Sequence, residues 1–222
     1  MIVLGLTGSI AMGKSTASAL FRREGVPVFC ADQTVHRLLG PGGAAVAAIE
    51  ANFPSVVIAG AVDRVQLAAK VFADPQALKR LEAIVHPLVI DAQDRFLKAA
   101  ARRGSPLAVL DIPLLFEAGL DRLCDRIAVV SAPASVQYQR LVRRRTLDAV
   151  RIKATLARQM PDALKRRRAD FIIPSGQGRA LTRRVIVDII RTLKDNGRGT
   201  RTRARGPRQA GRRSLTKGPS LR

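Results

Sequence analysis

Short apolar runs rich in β-branched residues alternate along this chain with longer stretches of helical spacing. The apolar runs predict five buried strands, at residues 2–6, 26–29, 107–112, 127–130 and 171–173. The longer stretches predict helices at residues 14–24, 75–102, 135–144, 148–158 and 178–194. Strands that alternate with helices predict an α/β fold, in which helices cover both faces of a parallel sheet.

The interval between the second and third predicted strands is far longer than one crossover helix requires. Residues of about 33–104 are therefore expected to form a helical region beside the sheet, where a second substrate can bind. Beyond residue 195 the sequence turns to Arg, Gly, Pro, Ser and Thr, with too few large apolar side chains to offset chain entropy. We expect a folded domain over residues 1–195 and a disordered basic tail over residues 196–222.

Composition narrows the class of protein without choosing a function. The net charge is +22, of which +9 lies in residues 196–222. A basic surface suits a protein that binds several phosphates, and it equally suits a nucleic-acid binder. Aromatic residues make up only 4% of the chain, so few side chains are available for base stacking. We therefore expect no specific nucleic-acid partner.

Two further observations bear on the compartment. No apolar run reaches the length of about 18 residues that a membrane span needs, so no membrane partner is expected. The two cysteines, Cys30 and Cys124, show neither metal-ligand spacing nor a disulfide framework. We expect a cytoplasmic protein, and a monomer or weak oligomer.

The segment from Gly8 to Ser15 fits the pattern G-x-x-x-x-G-K-[ST], between a predicted strand and a predicted helix. Glycines allow a close backbone approach, so that successive N–H groups can point at a triphosphate. Lys14 is expected to reach the β- and γ-phosphates, Ser15 to hold Mg²⁺ and Thr16 to contact the α-phosphate. The predicted nucleotide-binding residues are Gly8, Ser9, Ile10, Ala11, Met12, Gly13, Lys14, Ser15 and Thr16.

Other features distinguish among P-loop proteins. The N-K-x-D signature of GTPases is absent and the chain is too short for a motor ATPase, which leaves a small kinase. Asp32 and Asp111 follow predicted strands, and parallel sheets bind ligands at that end. Asp32 can accept a proton from an acceptor hydroxyl or orient it, or it can be the N-cap of a helix that starts near Gln33. Asp111 is predicted as a Walker-B-type residue that contacts Mg²⁺ directly or through water.

Basic residues cluster after the fourth predicted strand. Helical spacing places Arg140 and Arg144 on one face, and both are predicted to act in catalysis from a lid over about residues 140–168. A solvated basic helix face is the alternative. The run that begins at Lys165 is expected at the surface, with Lys165 its best functional candidate. Glu117 either acts at the site or simply caps or pairs within the next helix.

Taken in order, these segments resemble the dephospho-CoA kinase family over about residues 1–195. The matching pieces are the P-loop with its flanks, Ala31-Asp32, Asp74-Pro75, residues 81–87, residues 113–117, Arg140 with Arg144, Gln159, and residues 169–173. The resemblance implies a P-loop fold with a five-stranded parallel sheet, a helical CoA-binding insertion and a lid. It also implies Mg·ATP-dependent phosphorylation of the ribose 3′-hydroxyl of dephospho-CoA to give CoA and ADP, with Asp32 as the base. A nucleoside or nucleotide kinase is the alternative.

Three positions depart from the pattern of that family. Cys30 stands where the first acid of an Asp-Ala-Asp sequence is usual. Ala11 replaces a usual glycine, and it would be strained by about 1 kcal/mol if the loop needs a positive φ there. Pro174-Ser175 stands where Asn is common, which leaves the contacts to adenine open.

Overall fold

A computed structural model describes residues 1–72, 74–143, 156 and 159–199. Its strands are β1 (Ile2–Thr7), β2 (Val28–Cys30), β3 (Val57–Ile58), β4 (Ala61–Val62), β5 (Leu107–Asp111), β6 (Arg126–Ser131) and β7 (Phe171–Pro174). Five of them form a sheet in the order β2-β5-β1-β6-β7, and every pairing in it is parallel. The predicted five-stranded parallel sheet is therefore confirmed, with β1 at its centre.

The helices are α1 (Lys14–Arg23), α2 (Ala31–Leu39), α3 (Val46–Asn52), α4 (Arg64–Phe72), α5 (Pro75–Arg102), α6 (Ala134–Arg143), α7 (Asp162–Arg168) and α8 (Arg179–Gly199). A 3-10 helix spans Leu120–Leu123. The helices predicted at residues 14–24, 75–102, 135–144 and 178–194 are confirmed within the described residues. The helix predicted at residues 148–158 lies almost entirely outside them. Helix α8 continues to Gly199, past the end of the predicted domain at residue 195.

The two faces of the sheet carry separate apolar layers. Leu4 and Leu6 of β1 pack against α1 and α8, in a cluster that includes Phe21 and Ile186. On the opposite face Leu110 of β5 packs with residues of α5 and of the segment after β5. Because successive side chains of a strand point to opposite faces, each buried strand supplies both layers. The result is the three-layer α/β/α arrangement expected for this fold.

The region between β2 and β5 has a core of its own. Residues from α2, α3, α4 and α5 surround Ile49, Phe53 and Leu67, all nearly or fully buried. A small antiparallel hairpin of β3 and β4 completes this region. The predicted helical region is thus largely helical, but the hairpin was not predicted, because two-residue strands are too short to show alternation.

Local sequence explains where the longest helix begins. Asp74 is the N-cap of α5, and its side chain accepts a hydrogen bond of 2.8 Å from the backbone N–H of Gln76. Pro75 occupies the first turn, where no intrahelical partner for its missing N–H is needed. Within the described part of the chain, no helix is long and apolar enough to cross a membrane.

Candidate active site

The P-loop runs from the end of β1 to the start of α1. A Cβ on Gly8 would lie 2.6 Å from the carbonyl oxygen of Val130, so only glycine fits against β6. Gly13 has a φ of 89°, in the left-handed region that glycine adopts without strain. The two glycines of the motif are needed for different reasons, space at Gly8 and backbone conformation at Gly13.

Ala11 also adopts a left-handed conformation, with a φ of 61°. A residue with a Cβ is strained there by about 1 kcal/mol. The sequence predicts strain at Ala11 if the loop needs a positive φ there. The loop does need a positive φ at this position, so Ala11 is strained. The neighbouring contacts must hold the loop in this conformation.

Side chains from outside the loop bind three consecutive P-loop carbonyl groups. The donors are the Gln137 amide to Ile10 (2.9 Å), the Arg140 guanidinium to Ala11 (3.2 Å) and the Ser175 hydroxyl to Met12 (2.5 Å). The C=O and N–H groups of a planar trans peptide point in opposite directions. The N–H groups of Ala11 and Gly13 therefore face away from these side chains, and neither finds an acceptor among the described residues. Such free, convergent N–H groups suit a phosphate.

Asp111 lies at the end of β5, paired in register with Leu6 of β1. The residue is 2% exposed, and the two oxygens of its side chain have different partners. Lys14 forms an ion pair with one oxygen, and the hydroxyl of Ser18 donates to the other. Ser18 was not identified from the sequence. Its position one turn after Lys14 on α1 was the available signal, since residues four apart share a helix face.

Asp32 lies at the same edge of the sheet, next to Asp111. The β2–β5 register pairs Cys30 with Asp111, and Asp32 follows two residues later in the first turn of α2. Cys30 is the N-cap of this helix, so the alternative role of Asp32 as the N-cap is wrong. Asp32 is exposed and has no hydrogen bond or ion pair within the described residues. Its carboxylate is favoured at a helix N-terminus and is free to meet a hydroxyl group.

A cavity of about 400 Å³ opens beside the P-loop. Its lining includes Gly13, Thr16, Arg140, Arg143, Ser175 and Arg179. Three arginines around one cavity suit a polyanionic ligand. Arg179, at the start of α8, was not predicted, because nothing local distinguishes it from the other basic residues of the chain.

Arg140 connects this cavity to the P-loop. Besides its bond to the Ala11 carbonyl, its guanidinium donates to the hydroxyl of Ser175 (3.1 Å) and to the backbone carbonyl of Ser175 (2.6 Å). Arg140, predicted together with Arg144, lines the cavity, and Arg143, which was not predicted, lines it as well. Arg144 lies outside the described residues.

Lys165 is fully buried, so its expected position at the surface is wrong. Its Nζ atom lies 2.9 Å from Oε1 of Glu117, and the backbone N–H of Met160 donates to the same oxygen at 2.8 Å. Burial alone would raise the pKa of Glu117. The contacts with Lys165 and Met160 outweigh burial, and they hold the pKa below its ordinary value. Glu117 therefore pairs with α7 instead of capping the next helix.

The sheet order, the P-loop and the arginine-lined cavity place this protein in the class of P-loop nucleotide-binding kinases. Within that class the chain belongs to the dephospho-CoA kinase family, because a model of that family, described as Dephospho-CoA kinase, matches residues 2–179. The resemblance found in the sequence is therefore confirmed.

Individual relatives agree with the family model. A Dephospho-CoA kinase of Brucella melitensis is 48% identical over 193 residues, which cover 87% of this chain and 96% of the relative. That of Paramagnetospirillum magneticum is 58% identical over 166 residues, or 75% of this chain and 78% of the relative.

Two solved structures have a similar fold. The structure of TT1252 from Thermus thermophilus is 34% identical, with a TM-score of 0.74, covering 86% of this chain and 96% of the other. The Dephospho-CoA kinase from Campylobacter jejuni is 26% identical, with a TM-score of 0.66, covering 87% and 98%.

Proposed function

We propose that this protein transfers the γ-phosphoryl group of ATP to the ribose 3′-hydroxyl of dephospho-CoA, giving CoA and ADP in the final step of CoA biosynthesis. The observation that carries the proposal is the position of Asp32 in a chain of this family. An exposed carboxylate without a partner among the described residues follows β2, at the same sheet edge as Asp111 on the neighbouring strand β5.

The donor half of the reaction rests on the P-loop and its surrounding side chains. The free N–H groups of Ala11 and Gly13 receive phosphate oxygens, and Lys14 moves from Asp111 to the β- and γ-phosphates. From the cavity wall, the Arg140 guanidinium stabilises the negative charge that develops on the transferred phosphoryl group. The predicted contact of Thr16 with the α-phosphate and the catalytic role of Arg144 belong to this proposal.

The acceptor half rests on Asp32. The 3′-hydroxyl oxygen attacks the γ-phosphorus, the bond between that phosphorus and the bridging oxygen of ADP breaks, and the hydroxyl proton passes to the Asp32 carboxylate. An exposed carboxylate near a helix N-terminus can orient the hydroxyl before the transfer. The helical region between β2 and β5 is the proposed binding region for the rest of the acceptor.

Magnesium fits the residues that are present. Mg²⁺ at nucleotide sites commonly uses one or two protein oxygens, with phosphates and water as the other ligands. Ser15 presents an exposed hydroxyl in the first turn of α1, and Asp111 presents a carboxylate. We propose these two residues as its ligands. When bound, Mg²⁺ neutralises charge on the β- and γ-phosphates.

We place this reaction in the cytoplasm, with ATP and dephospho-CoA as the partners and a monomer or weak oligomer as the active form. The two free cysteines, Cys30 and Cys124, support a reducing compartment. The low aromatic content supports the absence of a specific nucleic-acid partner. We propose no membrane partner.

The test is ADP release from Mg·ATP with dephospho-CoA as the acceptor, beside a blank without acceptor and a panel of nucleosides and nucleotides. Acceptor-dependent release, with a product phosphorylated at the 3′-hydroxyl, is the expected result. The Lys14→Ala variant is the matched inactive control, because it lacks the phosphate contact. Turnover with a nucleoside but none with dephospho-CoA would overturn the proposal.

A further inference from the structure

The two peptide groups that flank the Cα atom of Ile10 are both held by side chains. The Ile10 N–H, which belongs to the Ser9–Ile10 peptide, donates to Oε1 of Gln159 at 2.9 Å, and the Ile10 carbonyl, which belongs to the Ile10–Ala11 peptide, accepts from Nε2 of Gln137 at 2.9 Å. The backbone fixes how each amide is oriented, because an N–H can only meet the amide oxygen and a carbonyl only the amide nitrogen. Among the P-loop residues, Ile10 alone has both backbone groups bound by side chains in the part of the chain described.

The Gln137 contact holds the second of these peptides directly, and the Gln159 contact fixes the peptide before it. The Ile10 carbonyl and the Ala11 N–H belong to one planar unit, so holding the carbonyl toward Gln137 turns the N–H the opposite way, into the loop. The left-handed backbone of Ala11 is strained. Rotation of this peptide would relieve that strain, so an external contact is needed to keep the N–H facing a phosphate.

Both glutamines are anchored independently of the P-loop. Gln159 precedes Met160, whose N–H is bound by Glu117 of the buried ion pair with Lys165. Gln137 lies on α6, three residues before Arg140, and residues at this spacing share a helix face. Gln137 and Arg140 accordingly hold the successive carbonyls of Ile10 and Ala11.

We propose that Gln137 and Gln159 are positioning residues for the nucleotide: by holding the peptide groups on the two sides of the Ile10 Cα atom, they keep the Ala11 N–H directed at the phosphates of the donor. This inference rests on the nucleoside triphosphate donor of the proposed function. It does not depend on the identity of the acceptor.

The roles of Gln137 and Gln159 can be tested separately, because Gln137 donates its hydrogen bond to Ile10 and Gln159 accepts its hydrogen bond from Ile10. In Gln159→Glu a carboxylate oxygen still accepts from the Ile10 N–H. In Gln137→Glu the donor is lost, and a carboxylate faces the Ile10 carbonyl instead. Both variants add one negative charge beside the same P-loop residue, Ile10, so the long-range repulsion of the triphosphate is closely matched. The difference between them then reports the hydrogen bond.

The measurement is the binding of a non-hydrolysable ATP analogue with Mg²⁺, by calorimetry and without acceptor. We expect Gln137→Glu to bind the analogue at least about tenfold more weakly than Gln159→Glu, since the part-buried Ile10 carbonyl loses its donor and meets a charge. Gln137→Leu and Gln159→Leu should each weaken binding about fivefold or more through loss of the bond alone. In steady-state assays the KM for ATP should rise while the KM for the acceptor stays unchanged.

The exposed Gln76→Glu variant at the start of α5 controls for the added charge, and thermal unfolding of each variant controls for folding. Equal binding by the two glutamate variants would overturn the inference, as would wild-type binding by both leucine variants. Because the analogue binds without an acceptor, these outcomes leave the proposed acceptor untouched. A failure with dephospho-CoA would likewise leave this binding result intact.

Discussion

The donor and acceptor sides of this site treat their polar groups in opposite ways. On the donor side, the carbonyls of Ile10, Ala11 and Met12 are bound by outside side chains, and buried Asp111 has two partners. On the acceptor side, Asp32 is exposed and has no partner among the described residues. Hydrogen-bond donors that are already oriented need no rearrangement when charge develops on the transferred phosphoryl group. A group that must exchange a proton is more useful if no internal bond occupies it.

Replacing the open carboxylate should have the largest effect. We expect Asp32→Asn to lower kcat by about 10²–10⁴-fold, the range for loss of a positioned base, with the KM for ATP nearly unchanged. Steady-state kinetics with both substrates varied gives the two parameters. Asp63→Asn is the matched control, because Asp63 is only partly buried and caps the start of α4, a role that asparagine retains. If Asp32→Asn turned over at the wild-type rate, Asp32 would not be the base, and the contrast between the donor and acceptor sides would not hold.

Breaking the ion pair behind the donor side should have the next largest effect, and on stability. Glu117→Gln leaves Lys165 buried without its carboxylate, so the free energy of unfolding should fall by about 3 kcal/mol, as for other broken buried pairs. Denaturant unfolding measures this change. The double variant Glu117→Gln/Lys165→Met should recover part of the loss, since no buried charge then remains. If Glu117→Gln left the free energy of unfolding unchanged, the ion pair between Glu117 and Lys165 would not anchor the donor side.

The pH dependence sharpens this test. The pKa of Glu117 is lowered in the folded protein from 4.5, so between the two pKa values the unfolded chain binds more protons. The stabilisation is complete above the unfolded value and is lost as the pH falls through the folded value. The stability gap between wild type and Glu117→Gln should therefore narrow below a pH of about 4.5. A gap that does not change with pH would exclude the carboxylate as its origin.

The smallest effect is expected at the strained residue of the P-loop. Ala11→Gly removes the left-handed strain but adds chain entropy to the unfolded state, and each effect is about 1 kcal/mol or less. If the loop is preformed, the strain is present with and without nucleotide, so affinity for the ATP analogue should change less than about threefold. A much tighter complex would show that the loop adopts this conformation only on binding.

Local patterns were sufficient to predict the sheet and the P-loop. Buried strands such as β1 are continuous apolar runs, and Gly8, Gly13, Lys14 and Ser15 stand at fixed spacing in one segment. The helix at residues 75–102 was predicted from its local spacing for the same reason. The information needed for each of these features lies within a few residues of it.

What was missed depends on partners far away along the chain. Lys165 sits in a basic run and was expected at the surface, because its partner Glu117 belongs to another segment. Gln137 has no local signature and Ser18 has only its spacing from Lys14, and their bonds reach Ile10 and Asp111 across distant stretches of sequence. Gln159 was noticed only as part of a family resemblance. Composition and periodicity carry no information about such pairs until the fold brings them together.

Lys14 already forms an ion pair with the carboxylate of Asp111. Any anion that reaches Lys14 must compete with a carboxylate already in place, at a position that is largely shielded from solvent. A small anion such as inorganic phosphate makes few other contacts and gains little from that exchange. A triphosphate engages several backbone N–H groups at once and can displace the carboxylate. If the proposed function holds, the Lys14–Asp111 ion pair would therefore favour long polyphosphates over simple anions at this site.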